Sequence, residues 1–147
     1  MSKKSMSAID NLIIKYNKVI SKLINTAGRL LPNNPDIHRV RNIISLAKSA
    51  DPLILLNDSK DKLWDAKDYI IERNEQEFFY NHEYIDKYTQ TDDDKEFLFT
   101  ILNAIKKKYE FLSKEEVKYI WDLINEMLGI CVEYKIEIGD YDDCEEE

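Results

Sequence analysis

Apolar residues recur every three or four positions through the first thirty residues, and this period is that of an α-helix. The positions that carry them are Ile9, Leu12, Ile13, Tyr16, Val19, Ile20, Leu23, Ile24 and Ala27. Since successive residues turn by about 100° around a helix axis, these side chains share one face, and most of the intervening Lys and Asn residues take the opposite face. Ser7 with Asp10 resembles a capping box at the start, and Gly28 is expected to end the helix.

The same period continues along the rest of the chain. Asn34-Pro35-Asp36 predicts the start of a second helix, which Asp51-Pro52 is expected to end because the residue before proline resists the helical conformation. A third helix is expected from Ser59, and Ser113-Lys114-Glu115-Glu116 predicts a capping box between the two helices of a hairpin. Three Gly and three Pro among 147 residues leave little turn material for short strands. The sequence therefore predicts an all-α fold.

A chain of 147 residues is long enough to bury one core, and we expect a single-domain bundle of about five to six helices over residues 1–138. Residues 139–147 are acidic and nearly free of apolar side chains, which predicts a disordered tail. No segment approaches the roughly 20 consecutive apolar residues of a membrane-spanning helix, and the first ten residues have no apolar signal-peptide core. We therefore expect neither membrane insertion nor secretion.

Catalytic and metal-binding motifs are not recognisable in the sequence. Asp92-Asp93-Asp94 lacks the alternating ligands, the central Gly and the closing Glu of an EF-hand loop, and its ordinary role is to cap the following helix. His82-Glu83 is not followed by the second His of a zinc-protease motif, and no Gly-rich loop could hold a phosphate. Cys131 lies at core spacing and is expected to be a buried thiol. This pattern favours a non-enzymatic protein without a metal or a cofactor.

A polar block meets an aromatic block where residues 72–77 run into Phe78-Phe79-Tyr80. One interpretation is a helix end whose aromatic side chains fill the core while the acids face water. The other is an aromatic anchor that docks a partner protein. Phe78, Phe79 and Tyr80 are therefore the candidate protein-binding residues.

Charge is divided unevenly along the chain. Residues 1–50 hold nine Lys or Arg and two acids, whereas residues 51–147 hold 12 bases and 27 acids. A basic helical face in the first part could contact a polyanion, or its cations could pair with the acidic remainder. The candidate nucleic-acid-binding residues are Lys15, Lys18, Lys22, Arg29, Arg39 and Arg41, with Lys3 and Lys4 beside them. The formal net charge of −8 opposes long-range attraction of phosphate, so the acidic tail would act as a brake.

Three short runs in the first 79 residues carry a resemblance to a known group of proteins. They are Leu31-Pro32-Asn33-Asn34-Pro35-Asp36, Ala50-Asp51-Pro52, and the stretch from Ile71 to Phe79 that reads IERNEQEFF. Over about residues 12 to 88 the chain resembles small uncharacterised helical proteins of nucleocytoplasmic large DNA viruses, although Asp51 replaces a polar amide and Asn74 replaces an acid. The resemblance implies a virion or infection-associated protein in the virion or the host cytoplasm or nucleus, and it supplies no catalytic residues.

Two functional hypotheses follow. The first is a non-enzymatic structural or adaptor protein that docks another protein or joins a virion assembly, with homo-oligomer formation left open. The alternative is a nucleic-acid-associated protein that uses the basic N-terminal helical face.

Overall fold

The computed structural model describes residues 3–80 and 97–139, and every regular element in these two ranges is a helix or a helical turn. The elements are α1 (Lys3–Leu30), α2 (Pro35–Ala50), α3 (Ile54–Asp65), α4 (Lys67–Ile71), a π-helical turn (Gln76–Tyr80), α5 (Phe97–Lys108), a 3₁₀ turn (Tyr109–Phe111) and α6 (Lys114–Glu137). The predicted all-α fold is confirmed. His82, Asp92-Asp93-Asp94 and residues 140–147 lie outside the described residues.

Helix α1 lies at the centre of the bundle. It packs along α6 and also contacts α2, α3 and α5. Arg29, near its C-terminal end, pairs with Glu116 in the first turn of α6, while Tyr16 lies beside Cys131, farther along α6. Helices α1 and α6 are therefore antiparallel. The predicted apolar stripe is the buried face of α1, through Leu12, Tyr16, Val19, Ile20, Leu23, Ile24 and Ala27.

The predicted ends of α1 are wrong at both termini. The helix begins at Lys3, before the proposed cap at Ser7, and it runs past Gly28 to Leu30. Gly28 lies inside the helix, where an added side chain would overlap the guanidinium of Arg41 on α2. This glycine therefore permits the close approach of a neighbouring side chain. The glycine that adopts a left-handed conformation is Gly139, with φ of 75°, directly after the end of α6.

The predicted caps of the later helices are confirmed. The side chain of Asn34 accepts hydrogen bonds from the backbone of Asp36 at 2.8 Å and of Ile37 at 3.2 Å, which starts α2. The Ser113 hydroxyl accepts from the backbone of Glu116, whose carboxylate accepts from the backbone of Ser113, and this capping box starts α6. Helix α2 ends before Asp51, as expected.

Helix α3 begins earlier than the sequence predicts. Its first residue is Ile54 instead of Ser59, because the Asp51 carboxylate accepts a hydrogen bond from the backbone of Leu53 at 3.2 Å and shapes the turn that precedes it. Asp51-Pro52 therefore both ends α2 and leads directly into the next helix.

The chain after α4 turns sharply and brings two aromatic side chains inward. Arg73 adopts a left-handed conformation with φ of 53°, and its guanidinium pairs with Asp122 of α6 at 2.7 Å. The backbone carbonyl of Asn74 then accepts a hydrogen bond from the backbone N–H of Phe78 at 2.9 Å. The side-chain oxygen of Asn74 accepts a second hydrogen bond, from the backbone N–H of Glu77. These bonds fix the start of the π-helical turn and the direction in which its side chains point.

Phe78 and Phe79 lie in the core, with relative exposures of 1% and 2%. Their ring centroids lie 5.5 and 5.4 Å from that of Trp121, and Phe79 lies 4.9 Å from Tyr109. The indole of Trp121 donates a hydrogen bond to the Tyr109 hydroxyl at 2.8 Å, which satisfies both polar groups inside this aromatic cluster. The hypothesis that Phe78 and Phe79 form a docking anchor is therefore wrong, because both rings are covered by α6 and the 3₁₀ turn. The core-filling interpretation is confirmed for these two residues, and the Tyr80 side chain lies outside the described residues.

Replacement of Phe78 by Ala should lower the free energy of unfolding by roughly 3–5 kcal/mol, because it empties a ring-sized volume among aromatic neighbours. The matched control is Phe111→Ala in the adjoining 3₁₀ turn, where the side chain is 76% exposed and the change should be within about 0.5 kcal/mol. Urea denaturation followed by far-ultraviolet circular dichroism measures both. Equal effects of the two substitutions would contradict the buried position of Phe78.

Candidate polyanion-binding face

The segment that forms α1 and α2 is almost devoid of acids. Between residues 11 and 50 the sequence contains Asp36 as its single acidic residue, and Arg39 lies 3.7 Å from that carboxylate. On α1, Lys15, Lys18 and Lys22 are exposed on the side opposite the buried stripe. Within residues 3–80 and 97–139, none of these three lysines forms an ion pair. Their charges therefore face water without compensation from the described part of the chain.

A groove runs between α1 and α2, and we call it the α1–α2 groove. It consists of two adjoining concavities of about 400 and 240 Å³ that share Ser21 and Lys48. The first is lined by Ile14, Asn17, Lys18, Ser21, Lys22, Lys48 and Pro52. The second is lined by Ser21, Ile24, Asn25, Arg41, Ile44, Ser45 and Lys48. The described lining thus contains four cationic side chains, several neutral hydrogen-bonding groups and no carboxylate.

Neutral partners hold two of the four cations in place. Lys48 donates from Nζ to the hydroxyl of Ser21, and Arg41 donates from Nη1 to the amide oxygen of Asn25 at 2.9 Å. Because serine and asparagine carry no charge, these hydrogen bonds orient the two cations across the groove without cancelling their field. Such an arrangement suits an anionic ligand, since part of the ordering of the side chains precedes binding.

The predicted cations do not all lie on this groove. Arg29 is directed to α6, where it pairs with Glu116 at 3.3 Å, so the predicted pairing with the acidic part of the chain holds for this residue. The backbone of Ser113 and the Arg29 guanidinium keep the pKa of Glu116 below its ordinary value. Arg39 lines a separate cleft with Asp36 and with Lys106 and Lys107 of α5. The structure therefore brings together Lys18, Lys22 and Arg41, with Lys15 beside them.

Lys48 is the groove residue that the sequence analysis missed. It follows Arg41 by seven residues on α2, and seven residues complete nearly two turns of a helix. The two side chains therefore lie on the same face. That spacing was readable in the sequence, but the position of α2 against α1 was needed to show that the face lines a groove.

A second group of polar residues is buried between α1, α3 and α6. It contains the hydroxyls of Tyr16 and Ser59 and the thiol of Cys131, all fully buried. Burial raises the pKa of Tyr16 well above its ordinary value, the adjacent Cys131 adds to the rise, and the Ser59 hydroxyl opposes it. Burial likewise raises the pKa of Cys131 to about 12, although Tyr16 and Lys135 oppose the rise. A thiol with this pKa is protonated at neutral pH and is not an activated nucleophile.

Ion pairs border this buried group at the surface of α3. Lys135 of α6 donates to Asp61 at 2.9 Å, and Lys60 lies 3.2 Å from the same carboxylate. Partial burial alone would raise the pKa of Asp61, but the hydrogen bonds from Lys135 and Lys60 together lower it. The contacts join α3 to α6 and give the group a structural role.

Over the described ranges, no group of three or more His, Cys, Asp or Glu side chains is arranged to hold a metal ion. Likewise, none of the helices that the structure describes has the length and apolar character required to cross a bilayer.

Comparison with known proteins returned no match to a protein-family model, to a curated protein or to a solved structure.

The buried position of Cys131 can be tested by thiol reactivity. In a Cys144→Ser background, which leaves one thiol in the chain, Cys131 should react with 5,5′-dithiobis(2-nitrobenzoic acid) only as fast as the protein unfolds. The physical reason is that burial both excludes the reagent and raises the pKa of the thiol to about 12. Addition of urea should unfold the protein and allow the Cys131 thiol to react. Rapid modification of the folded protein at neutral pH would show that the site is open.

Proposed function

We propose that this protein is a non-enzymatic nucleic-acid-associated protein that contacts the phosphate backbone through the α1–α2 groove and the adjoining cationic side of α1. The single observation that supports this most strongly is the convergence of Lys18, Lys22, Arg41 and Lys48 on a groove whose described lining contains no carboxylate. Clustered cations are the main requirement for binding to a phosphate backbone, since each contact releases a condensed counterion.

Duplex backbone is the form of nucleic acid that this groove fits best. Its described lining contains isoleucine, serine, asparagine and proline between the cations, and no aromatic ring. Proteins that hold single strands stack the bases on aromatic side chains, and the groove lacks such a platform. Phosphates on the outside of a duplex need no stacking, so binding without sequence preference is expected.

The spacing of the cations on α1 is consistent with this role. Lys15, Lys18 and Lys22 follow one another at three and four residues, so their Cα atoms are separated by roughly 4.5 and 6 Å along the helix axis. The flexible four-carbon side chains of these lysines can adjust to the positions of phosphates along a nucleic-acid strand. Arg41 and Lys48 on α2 would contact phosphates on the other side of the groove.

The adaptor hypothesis has no located docking site among the described residues. Its predicted anchor at Phe78 and Phe79 is buried, and the largest exposed apolar side chains, including Leu46, Ile71 and Phe111, belong to different elements. Single exposed apolar residues are usual on soluble proteins and do not mark an interface. The virion or infection-associated setting is kept in this proposal as the context that the sequence resemblance implies.

Replacement of Lys18 and Lys22 by Gln should weaken binding to duplex DNA of random sequence and reduce the steepness of its salt dependence. Each lost phosphate contact should reduce the slope of log K against log salt concentration by about 0.9. Fluorescence anisotropy over a series of salt concentrations measures both quantities. Circular dichroism should show unchanged helix content, because both side chains are exposed.

The matched control is Lys114→Gln with Lys118→Gln on α6, which removes two exposed lysines with the same four-residue spacing and the same change in net charge. If this control weakened binding as much as the groove variant, the effect would come from net charge alone. A flat salt dependence of the unmodified protein would reject the proposed function.

A further inference from the structure

We propose that residues 140–147 bind the Lys18 end of the α1–α2 groove in the same molecule and compete there with phosphate. The competition rests on the proposed function, whereas the contact between the segment and the groove does not.

Charge complementarity is the first argument. Residues 140–147 contain six carboxylates, from Asp140, Asp142, Asp143, Glu145, Glu146 and Glu147, and no Lys or Arg. They supply most of the formal net charge of −8. The described lining of the groove holds the opposite charge, from Lys18, Lys22, Arg41 and Lys48, without an acid. The cleft beside α5 differs from this groove, because its lining contains the carboxylate of Asp36.

The direction of α6 is the second argument. Arg29 lies against Glu116, and Tyr16 lies against Cys131, so α1 and α6 run antiparallel. In both facing pairs the two residue numbers add up to nearly the same value, which gives the register between the helices. Extended to Glu137, this register places the last residue of α6 beside about residue 10 of the chain, in the N-terminal part of α1. The acidic segment therefore leaves the bundle near the N-terminal part of α1, and Lys15 and Lys18 are the first groove-side cations along that helix.

The reach of the segment is sufficient. Lys18 lies about 12 Å farther along the α1 axis than residue 10 of the chain, and the path around half of a helix of about 10–12 Å diameter adds roughly 16–19 Å sideways. The direct path is therefore about 20 Å. Eight extended residues span up to about 26–29 Å. Carboxylates in the second half of the segment can thus meet Lys15, Lys18 and Lys22 without any movement of the helices.

Competition follows from tethering. Because the acidic segment is covalently joined to α6, its carboxylates would face the groove at an effective concentration on the order of millimolar, so even weak carboxylate–lysine contacts would occupy the groove when phosphate is scarce. Nucleic acid offers many more negative charges in a regular array and would displace the segment. An anion would then have to displace the acidic segment before it could bind the groove, so anions of low affinity would be excluded.

Zero-length carbodiimide cross-linking of the full-length monomer, followed by peptide mass spectrometry, tests the contact directly. We expect amide bonds between the carboxylates of residues 140–147 and Lys15, Lys18, Lys22 or Lys48. Lys107 of α5 and Lys114 at the start of α6 serve as internal controls and should not be joined to the segment. Cross-links absent from the groove lysines, or equally frequent at the control lysines, would overturn the proposal.

A full-length variant with Asp140, Asp142 and Asp143 replaced by Asn and with Glu145, Glu146 and Glu147 replaced by Gln tests the competition. Its affinity for duplex DNA at low salt should rise on the order of tenfold, because the tethered competitor is lost. An unchanged affinity in a protein that binds DNA would overturn the competition. Groove cross-links in the unmodified chain together with no DNA binding by either form would reject the proposed function while leaving the contact intact.

Discussion

The antiparallel packing of α1 against α6 is the interaction on which the rest of the fold depends. The buried face of α1 runs from Leu12 to Ala27, and α6 covers it with residues from Ile120 to Tyr134. Each fully buried Leu or Ile side chain contributes about 1.5–3 kcal/mol relative to an exposed position, and this pair of helices holds many of them. Helices α2, α3 and α5 each pack against α1. The aromatic cluster at Trp121 extends the same core toward α4.

The same packing determines where the cations lie. With one side of α1 committed to the core, Lys15, Lys18 and Lys22 must lie on the side turned away from it. Helix α2 packs next to the lysine-bearing side of α1. Because Gly28 has no side chain, it leaves room for the Arg41 guanidinium of α2. The basic groove is thus a consequence of the amphipathic pattern of α1 combined with an almost acid-free sequence through α2. A function that uses the groove needs no catalytic residue.

Local signals in the sequence predicted much of this fold. The helical period identified the buried face of α1, and short-range capping patterns gave the starts of α2 and α6 at Asn34 and Ser113. These features depend on residues within a turn or two of one another. The role of Gly28 was missed, because it depends on an arginine from another helix. The burial of Phe78 was left open for the same reason, since Trp121, which packs against it, lies 43 residues farther along the chain.

The candidate site was predictable only in part. Charge counting found the basic part of the chain, and helical spacing grouped the lysines of α1. Neither method could separate Arg29 and Arg39 from the cations that meet across the groove. Arg29 pairs with α6, and Arg39 lines a different cleft. Nor could either method show that Lys48 and Arg41 are held by neutral partners. Such distinctions depend on how two helices lie against each other, which the order of residues along each helix does not specify.

We propose that phosphate binds where α1 and α2 meet. Titration of a short duplex DNA into the ¹⁵N-labelled full-length protein at low salt, followed by two-dimensional NMR spectra, tests it most directly. We expect the largest shifts at the backbone amides of Lys18, Ser21, Lys22, Arg41 and Lys48, while amides of the buried aromatic cluster remain unchanged. Shifts concentrated at the cleft of Arg39 and Lys107, or no shifts at saturating DNA, would contradict it.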